Sequence, residues 1–291
     1  MSDAAVSEIL RRSKRKVKRK KALKHLILHI VLIALSLIFI LPFIWMVLTS
    51  LKSTPETFLP AWIPEKFLWS NYVEAIKKIP FFRQVLNTVF LVVVNIIGVV
   101  TSCSLVAYAF GRLRWPGRDI WFVVLLATLM LPGQVTMIPL FIVYKQIGWL
   151  NTYLPLTVPA FFGGGATNIF LMRQFYRTIP FEMTESARVD GANEFIIYSK
   201  IILPLCKPIL ATITIFTFMG VWNDFFGPLI FLDDSKMYTI AIGLRAFNSQ
   251  FGTQWNYLMA VSVITMIPTL LVFFFCQKYF IEGITMTGMK A

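Results

Sequence analysis

A polar stretch at 182–208, set among long apolar runs, carries ionisable residues of both signs. Its charged side chains within twenty residues are Glu182, Glu185, Arg188, Asp190, Glu194 and Lys200. Such a cluster could serve catalysis or form charge pairs with a partner protein. An integral-membrane enzyme would need convergent His, Asp, Glu or Ser groups near an interface. The predicted spans offer one acid, Asp224, and no histidine beyond His29, so the pattern favours presentation to a partner.

The sequence carries no motif for nucleotide or metal chemistry. No G-x-x-x-x-G-K-[ST] loop is present, and the Gly163-Gly164-Gly165 run has no following Lys-Ser/Thr pair. The three cysteines form no C-x-x-C pair, and His25 and His29 have no nearby carboxylate or cysteine. We therefore expect no metal and no cofactor bound by this chain, and any ATP hydrolysis on another subunit.

The polar stretch has its own local structure. Pro180 disfavours continuation of the preceding helix. From Phe181 onwards, apolar residues recur at spacings near 3 and 4, which predicts a short amphipathic helix at the membrane surface. Gly191 interrupts this helix, either for a turn with positive φ or for close approach of a partner backbone. A second apolar stretch then leads to Pro204 and the next span.

Composition indicates that most of the chain lies in lipid. Hydrophobic residues make up 57% and charged residues 14%, against about 25% charged in a typical soluble domain. Runs of about 20 apolar residues can cross a bilayer. The prediction is an all-α integral membrane protein with six transmembrane helices and a cytoplasmic helix between spans four and five. The six predicted spans are about 25–49, 85–110, 120–144, 153–175, 205–231 and 257–280.

Charge predicts the orientation. Ten of the basic residues and only two acids lie in 1–25, which accounts for +8 of the net +14. Directly before a span, such a tail is a cytoplasmic topology signal with affinity for anionic lipid. Both termini are thus expected in the cytoplasm of a multi-pass protein. The expected domains are a basic tail at 1–24, a first span with an outer loop at 25–84, and a core at 85–291 that contains a loop at 181–208.

Polar side chains inside the predicted spans are candidates for a substrate pathway, because such groups are costly in lipid. They are Asn87, Asn95, Gln134, Trp222, Asn223 and Asp224. Aromatic residues surround Asp224, and sugars are gripped by hydrogen bonds and aromatic faces. Alternatively, Asp224 is a helix-end group satisfied by its neighbours. The breaks at Pro132-Gly133 and Gly163–Gly165 fit either a pathway or close helix packing.

The string ESARVDGANEFIIYSKIILPLCKP at 185–208 resembles the EAA loop of ATP-binding-cassette (ABC) importer permeases, especially the carbohydrate importers related to the maltose permease. Further similar segments are MLPGQVTMIPLF, GWLNTYLPL, VWNDFFGPL and YFIEGITMTGMKA. Ser186 departs from the usual alanine. The resemblance implies that the loop docks on a cytoplasmic ATPase through Glu185, Ser186, Ala187, Arg188, Asp190, Gly191, Ala192 and Pro204.

The same resemblance implies a transport subunit of a bacterial cell membrane that is not itself an enzyme. The implied partners are a homologous second permease, two ATPase subunits that hold ATP and Mg²⁺, an extracytoplasmic solute-binding protein, membrane lipid and a sugar or oligosaccharide, but no nucleic acid. Glycerol phosphate or an acidic, uronate-containing oligosaccharide is the alternative substrate. A channel or secondary transporter would predict repeats or paired intramembrane charges, and neither is found in the sequence.

Overall fold

The computed structural model of this protein describes residues 3–249 and 252–288. The side chains of residues 3–20, 22, 249 and 278–288 lie outside that description, and with them most of the predicted basic tail and the terminal YFIEGITMTGMKA segment. The chain divides into two compact units, one of residues 1–72 and 255–260, the other of residues 73–254 and 261–291.

The described residues are mostly helical and contain very little strand. The α-helices are α1 (Asp3–Ser50), α2 (Ser70–Lys78), α3 (Phe81–Gly111), α4 (Arg118–Ala127), α5 (Gly133–Gln146), α6 (Leu154–Thr157), α7 (Ala166–Thr178), α8 (Glu182–Val189), α9 (Glu194–Ile196), α10 (Leu203–Leu205), α11 (Lys207–Trp222), α12 (Phe226–Phe231), α13 (Ile240–Gly243) and α14 (Trp255–Gly288). Two short strands, β1 (Asn248–Ser249) and β2 (Gly252–Thr253), pair antiparallel. A π-helix covers Ile197–Ile202, and short 3₁₀ turns include Thr128–Met130 and Val158–Phe161.

The first unit closes the end of α1 with a polar network. The Asn71 amide donates to the carbonyls of Ser50 and Lys52, both at 2.8 Å. The hydroxyls of Ser50 and Tyr72 also bond to each other at 2.8 Å. Buried backbone carbonyls at a helix end need such partners, so the network fixes where α1 stops.

Helix α3 is the centre of the second unit, and small residues let its neighbours approach. A methyl group at Gly111 would lie 3.3 Å from Tyr176 Cβ of α7. A methyl group at Gly164 would lie 3.0 Å from the backbone of Val99. Membrane helices pack closely where side chains are small. The break at Gly163–Gly165 therefore includes a close packing contact with α3.

Four helical segments among the described residues are long and apolar enough to cross a membrane: Leu23–Ser50, Phe81–Gly111, Leu154–Thr178 and Trp255–Gln277. Two bent pairs, Arg118–Met130 with Gly133–Gln146 at 98° and Glu194–Leu205 with Lys207–Trp222 at 80°, raise the possible total to six. The all-α membrane class is confirmed, and the exact count of six spans stays a prediction.

Two predicted spans differ in detail from the structure. The predicted helix at 153–175 is divided into α6, a 3₁₀ turn, the glycine run and α7, because the glycines adopt positive φ. The predicted helix at 205–231 stops at Trp222 and restarts at Phe226. Asp224 accepts the Gly227 N–H at 3.0 Å, and this side-chain bond stabilises the break. Asp224 thus lies between two helices and not within a continuous one.

Candidate coupling segment and substrate pathway

Helix α8 begins directly after Pro180-Phe181 and lies with one narrow face inward. Thr184 and Ala187, three residues apart, are its buried side chains. That spacing places them on the same side of a helix. Glu182 and Glu185 lie in its first turn, where carboxylates interact favourably with the helix dipole. The predicted amphipathic helix is therefore present, with its charges directed outward.

Gly191 ends α8 in a Schellman motif. Its φ is +82°, and the Ala192 N–H donates to the Ala187 carbonyl at 2.9 Å. The Gly191 N–H donates to the Arg188 carbonyl at 3.0 Å. Both bonds satisfy carbonyls that the helix leaves without partners. Apart from residues 190–192, no described residue has an atom within 4 Å of a methyl group placed on Gly191, so the turn requires glycine for its φ alone.

The chain after the turn is held by Asn193 and Glu194. The Asn193 side chain accepts the Ile196 N–H at 2.9 Å and caps α9. Oε1 of Glu194 accepts from Arg188 Nε at 2.8 Å, and its Oε2 accepts the Tyr108 hydroxyl at 2.8 Å. Glu194 thereby connects α8 to α3. Hydrogen bonding to this carboxylate raises the pKa of Arg188 and keeps the guanidinium charged.

A buried arginine fixes the approach to α8. Arg112 follows α3 and is only 2% exposed. Its Nη2 donates to the Ile179 carbonyl at 2.7 Å, and its guanidinium carbon lies 4.7 Å from the centre of the Phe181 ring. Burial lowers the pKa of Arg112, although arginine remains protonated in proteins. The end of α3 and the start of α8 are thus joined on one side of the second unit.

The π-helix that follows α9 also binds to α3. The Tyr198 hydroxyl bonds to the Ser104 hydroxyl at 2.7 Å. The Tyr198 ring meets Tyr108 edge-on at 5.3 Å between ring centres. Pro204 lies at the start of α10 after the π-helix, where a proline needs no backbone hydrogen bond. These contacts hold the segment between α8 and α11 against the core.

The outer surface of α8 and its turn combines charge with exposed apolar groups. The exposed members are Glu185, Ser186, Arg188, Val189, Asp190 and Gly191, with Phe195 beyond them. Val189 is 88% exposed and Phe195 is 70% exposed. Exposed apolar residues rimmed by polar ones mark interaction surfaces. Beside this surface lies a cavity of about 400 Å³ lined by Arg112, Phe181, Glu185, Arg188 and others.

Three of the predicted pathway residues are engaged within the protein. The Asn87 amide donates to the carbonyls of Lys236 at 2.9 Å and Tyr238 at 3.0 Å. The Asn95 amide donates to the Leu91 and Leu156 carbonyls, both at 2.8 Å. The indole of Trp222 donates to the Thr265 carbonyl at 3.1 Å. Each residue satisfies a backbone acceptor, as buried amides and indoles must.

The other three pathway residues are more open. Gln134 in the first turn of α5 and Asn223 after α11 are exposed. Asp224 is half-buried, and the turn that it forms with Gly227 lies against Leu156 of α6. Because Asn95 also bonds to Leu156, the structure brings Asn95 and Asp224 to the same short helix. Their role in transport stays a prediction.

Two residues that sequence reasoning left out of the candidate site are structurally prominent in it. Glu194 forms the link between α8 and α3, and Arg112 holds the backbone before α8. Arg188 and Glu194 are six positions apart across a turn, a spacing that no helical periodicity indicates. Within 21–248 and 252–277, no group of three or more His, Cys, Asp or Glu could hold a metal ion.

Comparison with known proteins gives consistent results. Residues 103–285 match the family described as "Binding-protein-dependent transport system inner membrane component". The arabinooligosaccharides transport system permease protein AraQ of Halalkalibacterium halodurans is 35% identical over 204 residues, 70% of this chain and 72% of that protein. The sn-glycerol-3-phosphate transport system permease protein UgpE of Yersinia pestis is 35% identical over 230 residues, 76% of this chain and 81% of that protein.

A solved structure resembles the chain over most of its length. It is the crystal structure of a bacterial ABC transporter involved in the import of the acidic polysaccharide alginate. The matched chain has a TM-score of 0.78 and 25% sequence identity, over 90% of this chain and 98% of that chain.

Proposed function

We propose, from the premise that this chain belongs to the family of binding-protein-dependent transport system inner membrane components, that α8 and its turn couple it to a cytoplasmic ATPase. The chain is a multi-pass membrane permease subunit of an ABC importer. The relatives are permease subunits and not enzymes themselves. ATP and Mg²⁺ then belong to the partner ATPase, since the sequence has no phosphate-binding loop.

One observation carries the coupling proposal: the displayed surface of α8 is rigidly connected to α3. Val189 and Phe195 are apolar and exposed, with Glu185 and Asp190 beside them. A free surface of this kind fits a partner cleft, with apolar anchors for affinity and charges for register. Glu194 bonds the turn after α8 to α3, and Arg112 bonds the end of α3 to the backbone before α8, so both bonds would carry a displacement of α8 to α3. Movement of the ATPase would thus reach the membrane core directly.

The orientation and partners follow from this assignment. If α8 faces the ATPase, the basic segment 112–118 lies on the cytoplasmic side too, because Arg112 binds the backbone before α8. This agrees with the positive-inside rule and with cytoplasmic termini. A second homologous permease, two ATPase subunits and an extracytoplasmic solute-binding protein complete the proposed importer.

We assign a sugar or oligosaccharide as the substrate class. Similarity to the arabinooligosaccharide permease supports this proposal, and similarity to an importer of an acidic polysaccharide supports the alternative of an acidic oligosaccharide. The second candidate is glycerol phosphate, because a permease for that solute is equally similar at 35% identity. The two classes are separated by uptake in membrane vesicles that hold the complete importer: competition by neutral oligosaccharides supports the first, and competition by glycerol phosphate alone contradicts it.

The coupling role is tested by co-purification of the ATPase from detergent-solubilised membranes. Gly191→Pro is incompatible with the φ of +82° at this position and removes the turn. Glu185→Lys reverses one exposed charge without changing the backbone. We expect recovery of the ATPase to fall at least tenfold for Gly191→Pro and several-fold for Glu185→Lys.

Gly148→Pro is the matched control, because Gly148 also ends a helix with positive φ, at +73°, and also has no atom within 4 Å of an added methyl group. Recovery should stay at the wild-type level for this variant. An equal loss in both proline variants would mean general misfolding, and equal recovery in all variants would exclude α8 as the main contact.

A further inference from the structure

A basic pocket lies where α3 ends, α4 begins and α7 ends. We call it the arginine pocket; its volume is about 450 Å³, and its charged lining consists of Arg114, Arg118, Asp119, Arg173 and Arg177. Helices α3, α4 and α7 all belong to apolar, membrane-crossing segments. The pocket therefore lies at the depth of the membrane–water interface.

The positive charge of this pocket is not balanced within the described chain. Asp119 lies 3.1 Å from Arg118 Nε and 3.7 Å from Arg173 Nη2. Arg173 also donates from Nε to the Phe110 carbonyl at 3.1 Å and is fixed in place by it. The side chains of Arg114 and Arg177 have no hydrogen-bond or ion-pair partner among the described residues. Four guanidinium groups against one carboxylate form a site for an anion.

An apolar groove continues from the arginine pocket along α4. Its volume is about 500 Å³, and its lining includes Trp115, Trp121, Val124 and Leu125. Phe110 lines both the pocket and the groove. Thr128, at the far end of the groove, follows Arg118, the first residue of α4, by ten residues. Ten helical residues rise about 15 Å. That length is about half of the hydrocarbon thickness, and so matches one leaflet.

We propose that the arginine pocket and the α4 groove together bind one anionic phospholipid, with the phosphate among the arginines and an acyl chain along α4. A soluble phosphate would use the pocket but leave the groove without an occupant. Trp115 and Trp121 suit a position between headgroups and acyl chains, where tryptophan is enriched in membrane proteins. Basic pockets between membrane helices bind lipid headgroups of this charge. The proposal does not depend on the coupling role of α8.

The test uses the full chain in detergent micelles and phospholipids with brominated acyl chains, which quench nearby tryptophan fluorescence. Brominated phosphatidylglycerol is compared with brominated phosphatidylcholine. We expect tighter binding of phosphatidylglycerol, and a quenched component that is lost in Trp121→Phe. The double variant Arg114→Gln/Arg177→Gln should weaken phosphatidylglycerol binding about 25-fold, about fivefold for each arginine near the lipid.

The matched control is Arg83→Gln/Arg245→Gln, which removes two exposed arginines of the second unit that do not line the pocket. It should keep the preference for phosphatidylglycerol. Equal quenching by both lipids, or an equal loss in both double variants, would overturn the proposal.

Two further outcomes would assign the pocket to another occupant. Inorganic phosphate that abolishes the lipid preference, when sodium chloride at equal ionic strength does not, would indicate a soluble anion. An unchanged lipid preference with lower recovery of the ATPase in Arg114→Gln/Arg177→Gln would assign the arginines to protein docking. Either result contradicts a lipid site.

Discussion

The chain ends two helices in the same way, after α5 at Gly148 and after α8 at Gly191, but the two turns have different surroundings. We call residues 144–151 the packed turn and residues 187–194 the displayed turn. In the packed turn the Trp149 N–H donates to the Tyr144 carbonyl at 2.8 Å, the same bond that Ala192 forms with Ala187. The backbone geometry alone therefore does not distinguish them.

The two turns differ in the contacts of the residues that flank each glycine. Trp149 stacks on Tyr144 at 5.6 Å between ring centres, and the Asn151 N–H donates to the Phe231 carbonyl at 2.8 Å. The packed turn is thus joined to α12 of its own chain. The displayed turn is anchored on one side by Glu194 and leaves Val189 exposed. A Schellman motif sets the direction of the chain, and the flanking residues decide whether the turn is packed or presented.

The largest effect on stability is expected at the anchor of the packed turn. Asn151 has φ of +55°, and its side chain accepts the N–H groups of Asp233 and Asp234 at 3.1 Å and 2.9 Å. Asn151→Ala removes both bonds and places alanine in the left-handed region. Together these changes should lower the free energy of unfolding by about 2–3 kcal/mol. The melting temperature in detergent should fall while ATPase recovery is unchanged.

Asn151→Gly is the control for this position, because glycine tolerates the backbone conformation but cannot accept the two hydrogen bonds. Its melting temperature should exceed that of Asn151→Ala by the part of the decrease that comes from backbone strain. Loss of ATPase binding in Asn151→Ala would show that the two turns are not independent.

The anchor of the displayed turn should have a smaller effect on stability and a larger one on coupling. Glu194→Ala removes the bonds to Arg188 and Tyr108. The ion pair is half exposed and contributes little, because solvent screens it. The free energy of unfolding should fall by about 1–2 kcal/mol, mostly through loss of the hydrogen bond with Tyr108. We expect more ATP hydrolysed per solute transported in proteoliposomes that contain the complete importer.

Glu194→Gln keeps an oxygen for the Tyr108 hydroxyl and loses the charge pair with Arg188. Coupling should lie between wild type and Glu194→Ala. If both Glu194 variants transport with the wild-type ratio of ATP to solute, the link between α8 and α3 does not carry the coupling motion.

The smallest effects are expected when alanine replaces each glycine. Gly148→Ala and Gly191→Ala each place alanine in the left-handed region, at about 1 kcal/mol, with no new contact inside the chain. The two melting temperatures should fall by similar, small amounts. Only Gly191→Ala should weaken ATPase binding. The expected loss of affinity is about fivefold, because binding must restore the left-handed conformation that alanine leaves in the free protein. Equal ATPase affinity of the two variants would remove the functional difference between the turns.

The sequence predicted the features that depend on composition and on single residues. Apolar runs identified the membrane class, Pro180 and Gly191 marked the limits of α8, and Pro132-Gly133 marked the break in the third span. The family assignment and the permease function are confirmed by the comparisons. The roles of the coupling and pathway residues stay predictions.

Features that depend on a single side-chain bond within an apolar run, or on tertiary contacts, were not accessible from the sequence. At the break after Trp222, the carboxylate of Asp224 accepts a hydrogen bond from the Gly227 N–H, within a run that is otherwise apolar. The link through Glu194 needs Tyr108, which is 86 positions away in the sequence. Hydropathy averages over such residues. It therefore predicted one continuous helix at 205–231 and did not indicate that Glu194 links two helices.

The π-helix at Ile197–Ile202 has a consequence for how the length of this region can vary in evolution. Each residue of an α-helix turns the chain by about 100°, and a π-helix accommodates one residue more than an α-helical turn. Deletion of a single residue here would convert the segment to α-helix and leave the helical residues on either side in the same phase. A change of length by one residue can therefore be absorbed within Ile197–Ile202, whereas an insertion in the α-helical turns of α11 would turn the residues that follow by about 100°.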